Sequence, residues 1–459
     1  MHVPSSRSAP LALLALGIVG ACFGGSTKAS SSDAGTGFDG GSSSSSGGDD
    51  GSVTGTSAGG TGAFGIVTVN GKQKMYLPAS YDASSGHGII AVVDVGVAGN
   101  GASGAPALIT TIDLGSTNVA TATGGDSKMV IAASTDNNNV WFIDPTTDTV
   151  TKNIQLDATY GVSSFSGGGG YVTGVAVDSA NHRAILSVWN GFALVDLATQ
   201  SITSVIQAPP SENFGFDSIH QRILAPFYDC STSLANGMAP SSCNTPHAGD
   251  AGVMIAGLSI IDLTDSTVYT YEDPTQADPT LPVGNEPDSA AADPSEQIYV
   301  VPDEGSGTEN VLDFSKANFD KATKTVTAPH VILTGFGLEG VAVEGTSHLG
   351  FWEGEGSGNV AVVDLTQARS GGQGWVGGVM PSEPGGVAFG TLGDPHGIAV
   401  TTSIINGSPV GFLVDNNLHW VVRVDLKQLQ GLEQADASVT AGTTQMQGAV
   451  TYLDATTKE

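Results

Sequence analysis

The chain has 459 residues and a formal net charge of -30, with only 15 Lys and Arg against 45 Asp and Glu. That balance excludes nucleic acid and anionic lipid surfaces as partners, because both would be repelled. The length exceeds what one simple core fills, so the chain is either several domains or a repeat architecture.

The chain opens with an export signal. Arg7 supplies a positive start, and Leu11 to Val19 form an apolar run too short to remain as a membrane-spanning helix. The run ends Val19-Gly20-Ala21-Cys22, which resembles the lipobox of bacterial lipoproteins. The resemblance implies cleavage after residue 21 and acylation of the Cys22 thiol, giving a lipid anchor in the cell envelope. Each buried methylene contributes about 0.8 kcal/mol, so two or three acyl chains hold firmly where one holds marginally.

Residues 23–63 are almost entirely Gly, Ser, Thr, Ala and Asp, with SSSSSGGDDG from Ser42. Such a segment buries no core and reads as a tether with an r.m.s. reach of roughly 35 Å. The expected organisation is a signal peptide at 1–21, a lipidated tether at 22–63 and one folded body at 64–459.

Within that body a run of β-branched or aromatic residues ending in Asp occurs seven times: AVVD at Asp94, WFID at Asp144, ALVD at Asp196, SIID at Asp262, NVLD at Asp313, AVVD at Asp364 and VRVD at Asp425. Successive spacings are 50, 52, 66, 51, 51 and 61 residues. Each run is preceded by a second apolar run, such as KMVIAAS from Lys128 or QIYVVP from Gln297. Further upstream most copies carry a small-residue strand, among them GVAVD at Gly174, FGFDS at Phe214, DSAAAD at Asp288 and GVAVE at Gly340. A fourth strand can follow the anchor, as in TDTVTKNIQL after Asp144.

A four-stranded blade with turns occupies about 40 to 50 residues, whereas a β-sandwich needs about 100 and a β-helix coil about 20 to 30. The period therefore predicts an all-β fold, a single β-propeller of about seven four-stranded blades. The unit NVWFIDPTTDTVTKNIQL at 139–156 resembles the YVTN family of surface-layer β-propellers, and DPHGIAVTT from Asp394 looks like the start of the same repeat. That likeness implies a fold and an exported setting, not a reaction. FGIVTVN from Phe64 and GAVTYLD from Gly448 are both candidates for the strand that closes the ring.

Of the three cysteines, Cys230 and Cys243 remain once Cys22 is assigned to lipid. In an exported chain they form a candidate disulfide, closing a loop inside the insertion that lengthens the third spacing. GFGLEG from Gly335 and GQGWVG from Gly372 match a dinucleotide-binding pattern but open no helix after a strand. The body at 64–459 contains no nucleophile elbow, zinc-protease motif or phosphate loop.

Two loop sets of a propeller emerge on one face, where distant residues converge. The loops between second and third strands carry Asp82, Asp136, Asp229, Asp303, Glu353 and Asp415, an acidic rim suited to a divalent cation or a basic partner. The competing reading is that Asp in loops serves its own turn. Thr173, Asn213, Glu286, Glu339 and His396 precede the innermost strands and face the channel mouth. Their oxygen and nitrogen donors suit Ca²⁺, Zn²⁺ or Mn²⁺. The set is similar to channel metal sites of gluconolactonase-like propellers, which implies a metal-dependent hydrolase or lyase as the alternative to a platform for a protein or small-molecule ligand.

Overall fold

In the computed structural model, the described residues are 64–454 apart from 82–86, 99–106, 117–119, 121, 135–138, 157–173, 189, 210, 212, 228–256, 273–286, 288, 304–307, 335–339, 354–359, 372–394, 406–407, 416–419 and 427–449. They form seven antiparallel blades in chain order, six with four or more strands and one with three.

Blade 1 comprises β1 (Gly65–Val69), β2 (Lys72–Tyr81), β3 (Gly88–Ala98) and β4 (Ala107–Asp113). Blade 2 comprises β5 (Ala122–Gly125), β6 (Val130–Ala133), β7 (Asn139–Asp144) and β8 (Thr149–Gln155). Blade 3 comprises β9 (Val175–Asp178), β10 (Arg183–Val188), β11 (Gly191–Asp196) and β12 (Ser201–Gln207). In blade 4, β13 (Gly215–Asp217), β14 (Arg222–Phe227), β15 (Gly257–Asp262) and β16 (Thr267–Tyr271) are extended by a hairpin from the next blade. That hairpin, β20 (Asn318–Asp320) and β21 (Thr325–Thr327), pairs parallel to β16 and covers its outer edge. Blade 5 itself comprises β17 (Ala291–Asp293), β18 (Ile298–Asp303), β19 (Thr308–Asp313) and β22 (His330–Thr334). Blade 6 comprises β23 (Gly340–Glu344), β24 (Leu349–Glu353) and β25 (Val360–Asp364); blade 7 comprises β26 (Pro395–Ile405), β27 (Ser408–Asp415), β28 (Trp420–Asp425) and β29 (Val450–Asp454).

In blade 6 the expected fourth strand does not follow the anchor. Asp364 instead caps a short helix, α1 (Leu365–Arg369), accepting from the amides of Thr366 and Gln367. The sequence LTQAR has good helix formers after an N-cap acid, so the local preference wins over the repeat.

The innermost strands β1, β5, β9, β13, β17, β23 and β26 line the centre, where small residues are required. A Cβ on Gly65 would stand 3.1 Å from the Gly124 backbone, and one on Gly215 would meet the Ala290 backbone at the same distance. Between blades, both faces of each sheet are apolar and interdigitate. Trp141 fills the space between blades 1 and 2, and Trp352 that between blades 5 and 6. Burying such a side chain contributes about 2 to 3 kcal/mol.

The ends of the strands define two unlike faces. On the turn face, where first strands end and second strands begin, the described residues include eight four-residue turns built alike. Each is preceded by an acid (Asp144, Asp178, Asp196, Asp217, Asp262, Asp293, Asp320 or Glu344) whose carboxylate accepts turn amides two or three residues on. Each ends on a non-glycine residue with φ between 52° and 59°, a conformation otherwise uncommon. In the first-to-second turns of blades 3 to 6 that residue's carbonyl accepts the amide of the buried residue following the third-strand acid: His182 from Leu197, Gln221 from Leu263, Gln297 from Phe314 and His348 from Leu365. The recurring Asp is thus a turn acceptor, and the Leu or Phe after it plugs the blade's edge.

These acids make acid denaturation predictable. Burial pushes the Glu344 carboxyl up, but donation from the Ser347 hydroxyl and amide and the Thr346 amide outweighs it, leaving the group below the ordinary glutamate range. Asp144, chiefly through the Thr146 amide, is likewise lowered. Asp364 is lowered too, its burial outweighed by Thr366 and Gln367. A depressed carboxyl stabilises the fold above its unfolded pKa, and that stabilisation is lost as pH falls through the folded value. Urea-unfolding free energy is therefore expected to hold from pH 7 to 5 and to fall below about pH 4. A steep loss between pH 7 and 5.5 would assign the sensitivity to other groups.

Candidate functional site

The opposite face, where second strands end and innermost strands begin, is the loop face. The three connections 157–173, 228–256 and 273–286 all begin or end there, between β8 and β9, β14 and β15, and β16 and β17. Of the candidate site residues, Asn213, Asp303, Glu353, His396 and Asp415 stand at or beside strand ends on this face.

Asn213 stands two residues before β13 and is 2% exposed. Its carbonyl accepts from the Ser211 hydroxyl at 2.8 Å, while its Oδ1 is buried without a hydrogen-bond partner among the described residues. Asp303 ends β18 and is 0% exposed, so it is not a solvent-facing rim charge. It shares a sheet face with Tyr299 and Val301, whose side chains pack against blade 4, so the carboxylate is closed in at the head of the blade 4 and 5 interface. Glu309 and Asn310 on the neighbouring strand are also buried. Sequence reasoning passed over both, since they precede a third-strand anchor and look like ordinary strand residues.

Glu353 and Asp415 are the last residues of β24 and β27, which puts both at strand ends on the loop face. His396 is the second residue of β26, between Pro395, paired with Asp415, and Gly397, paired with Val414. The register therefore brings His396 and Asp415 to adjacent strands at one height. In blade 6, Gly340 pairs with Glu353, which sets the strand entrance beside that acid. Asp82, Asp136, Asp229, Thr173, Glu286, Glu339, Cys22, Cys230 and Cys243 lie outside the described residues. Among the described residues, no three His, Cys, Asp or Glu side chains gather as a metal site.

Asn190, at the corresponding place in blade 3, belongs to a two-residue turn between β10 and β11. It is buried, and its Nδ2 donates to Gln207 at 3.0 Å. Its role is to fix the hairpin, not to face a ligand.

Carboxylates of another kind lie on the turn face. Asp217 is 0% exposed; its Oδ1 accepts from the amides of Ile219 at 3.0 Å and His220 at 2.8 Å, and its Oδ2 accepts from the Tyr299 hydroxyl of blade 5 at 2.6 Å and lies 2.8 Å from His220 Nδ1. Burial and then the Asp217 charge push the Tyr299 phenol far up, so it remains a donor. Asp293 repeats the design one blade on, with His348 Nδ1 of blade 6 at 2.6 Å. In blade 3, Asp178 holds Arg183 at 3.0 Å, and Arg183 reaches Gln221 of blade 4 at 2.5 Å. These groups bridge blades and are fully engaged with one another, which makes them structural.

No protein-family model matches the chain. No curated protein matches it in sequence. Among solved structures it is similar to the hydrazine synthase of Kuenenia stuttgartiensis, with 11% identity and a TM-score of 0.45 over 80% of this chain and 96% of that one. It is also similar to a functionally unknown protein from Desulfotomaculum acetoxidans, with 14% identity and a TM-score of 0.46 over 74% of this chain and 89% of the other. The propeller assignment stands on the strand pairing above, independently of these likenesses.

Proposed function

We propose that this protein is a lipid-anchored propeller of the bacterial cell envelope whose loop face binds a protein or small-molecule ligand. The observation that carries the binding reading is the difference between the faces. In blades 3 to 6 the described turns between first and second strands are short and acid-capped, while the 228–256 connection starts and ends on the other face, where Asn213, Asp303, Glu309 and Asn310 are buried.

The Cys22 context supports the anchor, and the −30 charge favours a basic or neutral partner over nucleic acid. The insertion that carries Cys230 and Cys243 follows β14, which ends on this same face.

The anchor is tested by fractionation: wild-type protein is expected in membranes, and Cys22→Ser in the soluble or unprocessed fraction. Equal partitioning of the two overturns lipidation. For the platform, photo-crosslinking residues placed at Glu353 and Asp415, which end second strands on the loop face, should capture one common partner in the envelope, while those at Thr146 and Thr199 on the turn face should not. Equal capture from both faces would remove the reading.

A further inference from the structure

Six of the seven boundaries between neighbouring blades are crossed by the chain as it passes from one blade to the next. The boundary between blades 7 and 1 is not. Propellers commonly bridge it by completing one blade with strands from both ends of the chain. Among the described residues, β1 pairs within blade 1 and β29 within blade 7, so neither of these strands is shared.

What joins these blades among the described residues is an apolar cluster. Met75, Leu77, Ala91 and Val93 of blade 1 meet Ala399, Val410 and Phe412 of blade 7, with Phe64 among them at 1% exposure. The alternation of β1 explains the placement. Gly65 and Val67 face blade 2, so Phe64 and Ile66 face the seam. Among the described residues, polar bridges accompany the packing at five of the other six boundaries: Lys74 and Tyr76 to Asp148 between blades 1 and 2, Lys152 to Gln200 between 2 and 3, Arg183 to Gln221 between 3 and 4, Tyr299 to Asp217 between 4 and 5, and Arg369 to Glu296 between 5 and 6.

We propose that the ring opens at the seam between blades 7 and 1, and that Phe64 is its latch. Phe64 is also the residue through which the preceding 63 residues join the propeller, so tension or capture of that segment acts on the latch first. The inference holds whether or not Cys22 carries lipid.

Native-state hydrogen exchange on the full chain, in low denaturant, tests it. Amides of β1, β2, β26 and β27 are expected to share one opening event, reached before that of β9, β10, β13 and β14. Phe64→Ala should speed exchange on both sides of the seam by about tenfold or more and leave blades 3 and 4 unchanged, with Phe64→Leu intermediate. Ordinary fraying of the N-terminal strand would instead speed β1 and β2 while leaving β26 and β27 at wild-type rates, and that result overturns the proposal. So does a wild-type pattern in which all seven blades open together. The wild-type measurement decides the matter even if Phe64→Ala does not accumulate.

Discussion

Gly191→Ala is expected to destabilise the propeller by about 3 kcal/mol or more, although it adds a single methyl group at the start of a strand. Gly191 has φ of +134°, and an added Cβ would stand 1.9 Å from the Ile206 carbonyl oxygen and 2.7 Å from the Ala208 amide nitrogen. Both neighbours are backbone on β12 or just after it, so no side-chain rotation relieves the clash. Relief requires separating β11 from β12 at the Gly191 and Gln207 pair. It would also disturb the amide of Ala208 donating to Asn190 at 3.2 Å. The control is Gly71→Ala in the turn between β1 and β2. There φ is also positive, at +77°, but nothing lies within 4 Å of the new atom. Its cost is conformational alone, about 1 kcal/mol. Urea unfolding of the two variants separates contact from conformation, and equal losses would show that the Gly191 backbone moves aside freely.

That contrast also shows what could be read from the chain beforehand. The blade repeat is legible because a second and third strand buried on both faces must be written as apolar runs, and the acid ending each third run marks the turn. SIID at Asp262 and WFID at Asp144 fall where they were expected for that reason. Gly191 is not legible as special among 64 glycines, since its demand arises from a carbonyl fifteen residues away. The helix after Asp364 and the β20 to β21 hairpin were likewise hidden, because a pattern search for strands does not say which blade a hairpin joins.

The candidate site was legible only in part. Strand order placed Asp303, Glu353, Asp415 and His396 on one face, but not the depth of any side chain. Asp303 reads from sequence like the other loop acids and proves to be fully enclosed. Conversely, the acids ending the first strands, in VAVD at Asp178, GFD at Asp217 and AAD at Asp293, sit in the small-residue strands and draw attention away from themselves. Their importance comes from the partner in the next blade.

Removing Asp217 should therefore cost far more than removing Asp262, though each is an Asp that ends a strand and opens a four-residue turn. Asp262 is half-exposed and accepts from the Thr264 amide and hydroxyl, so Asp262→Ala gives up a local turn contact worth about 1 kcal/mol, with water taking its place. Asp217→Ala leaves the Tyr299 hydroxyl and the Ile219 and His220 amides facing a cavity at the interface of blades 4 and 5, an expected loss of about 3 kcal/mol. Tyr299→Phe isolates the inter-blade part, because the ring keeps its packing against Phe314 at a centroid distance of 4.2 Å while the donor is lost. In a double-mutant cycle the Asp217 and Tyr299 substitutions should couple by about 1 to 2 kcal/mol, measured by urea unfolding at pH 7. A coupling under about 0.5 kcal/mol would mean that the two blades are held by apolar packing alone. The buried carboxylate would then serve its own turn, as Asp262 does.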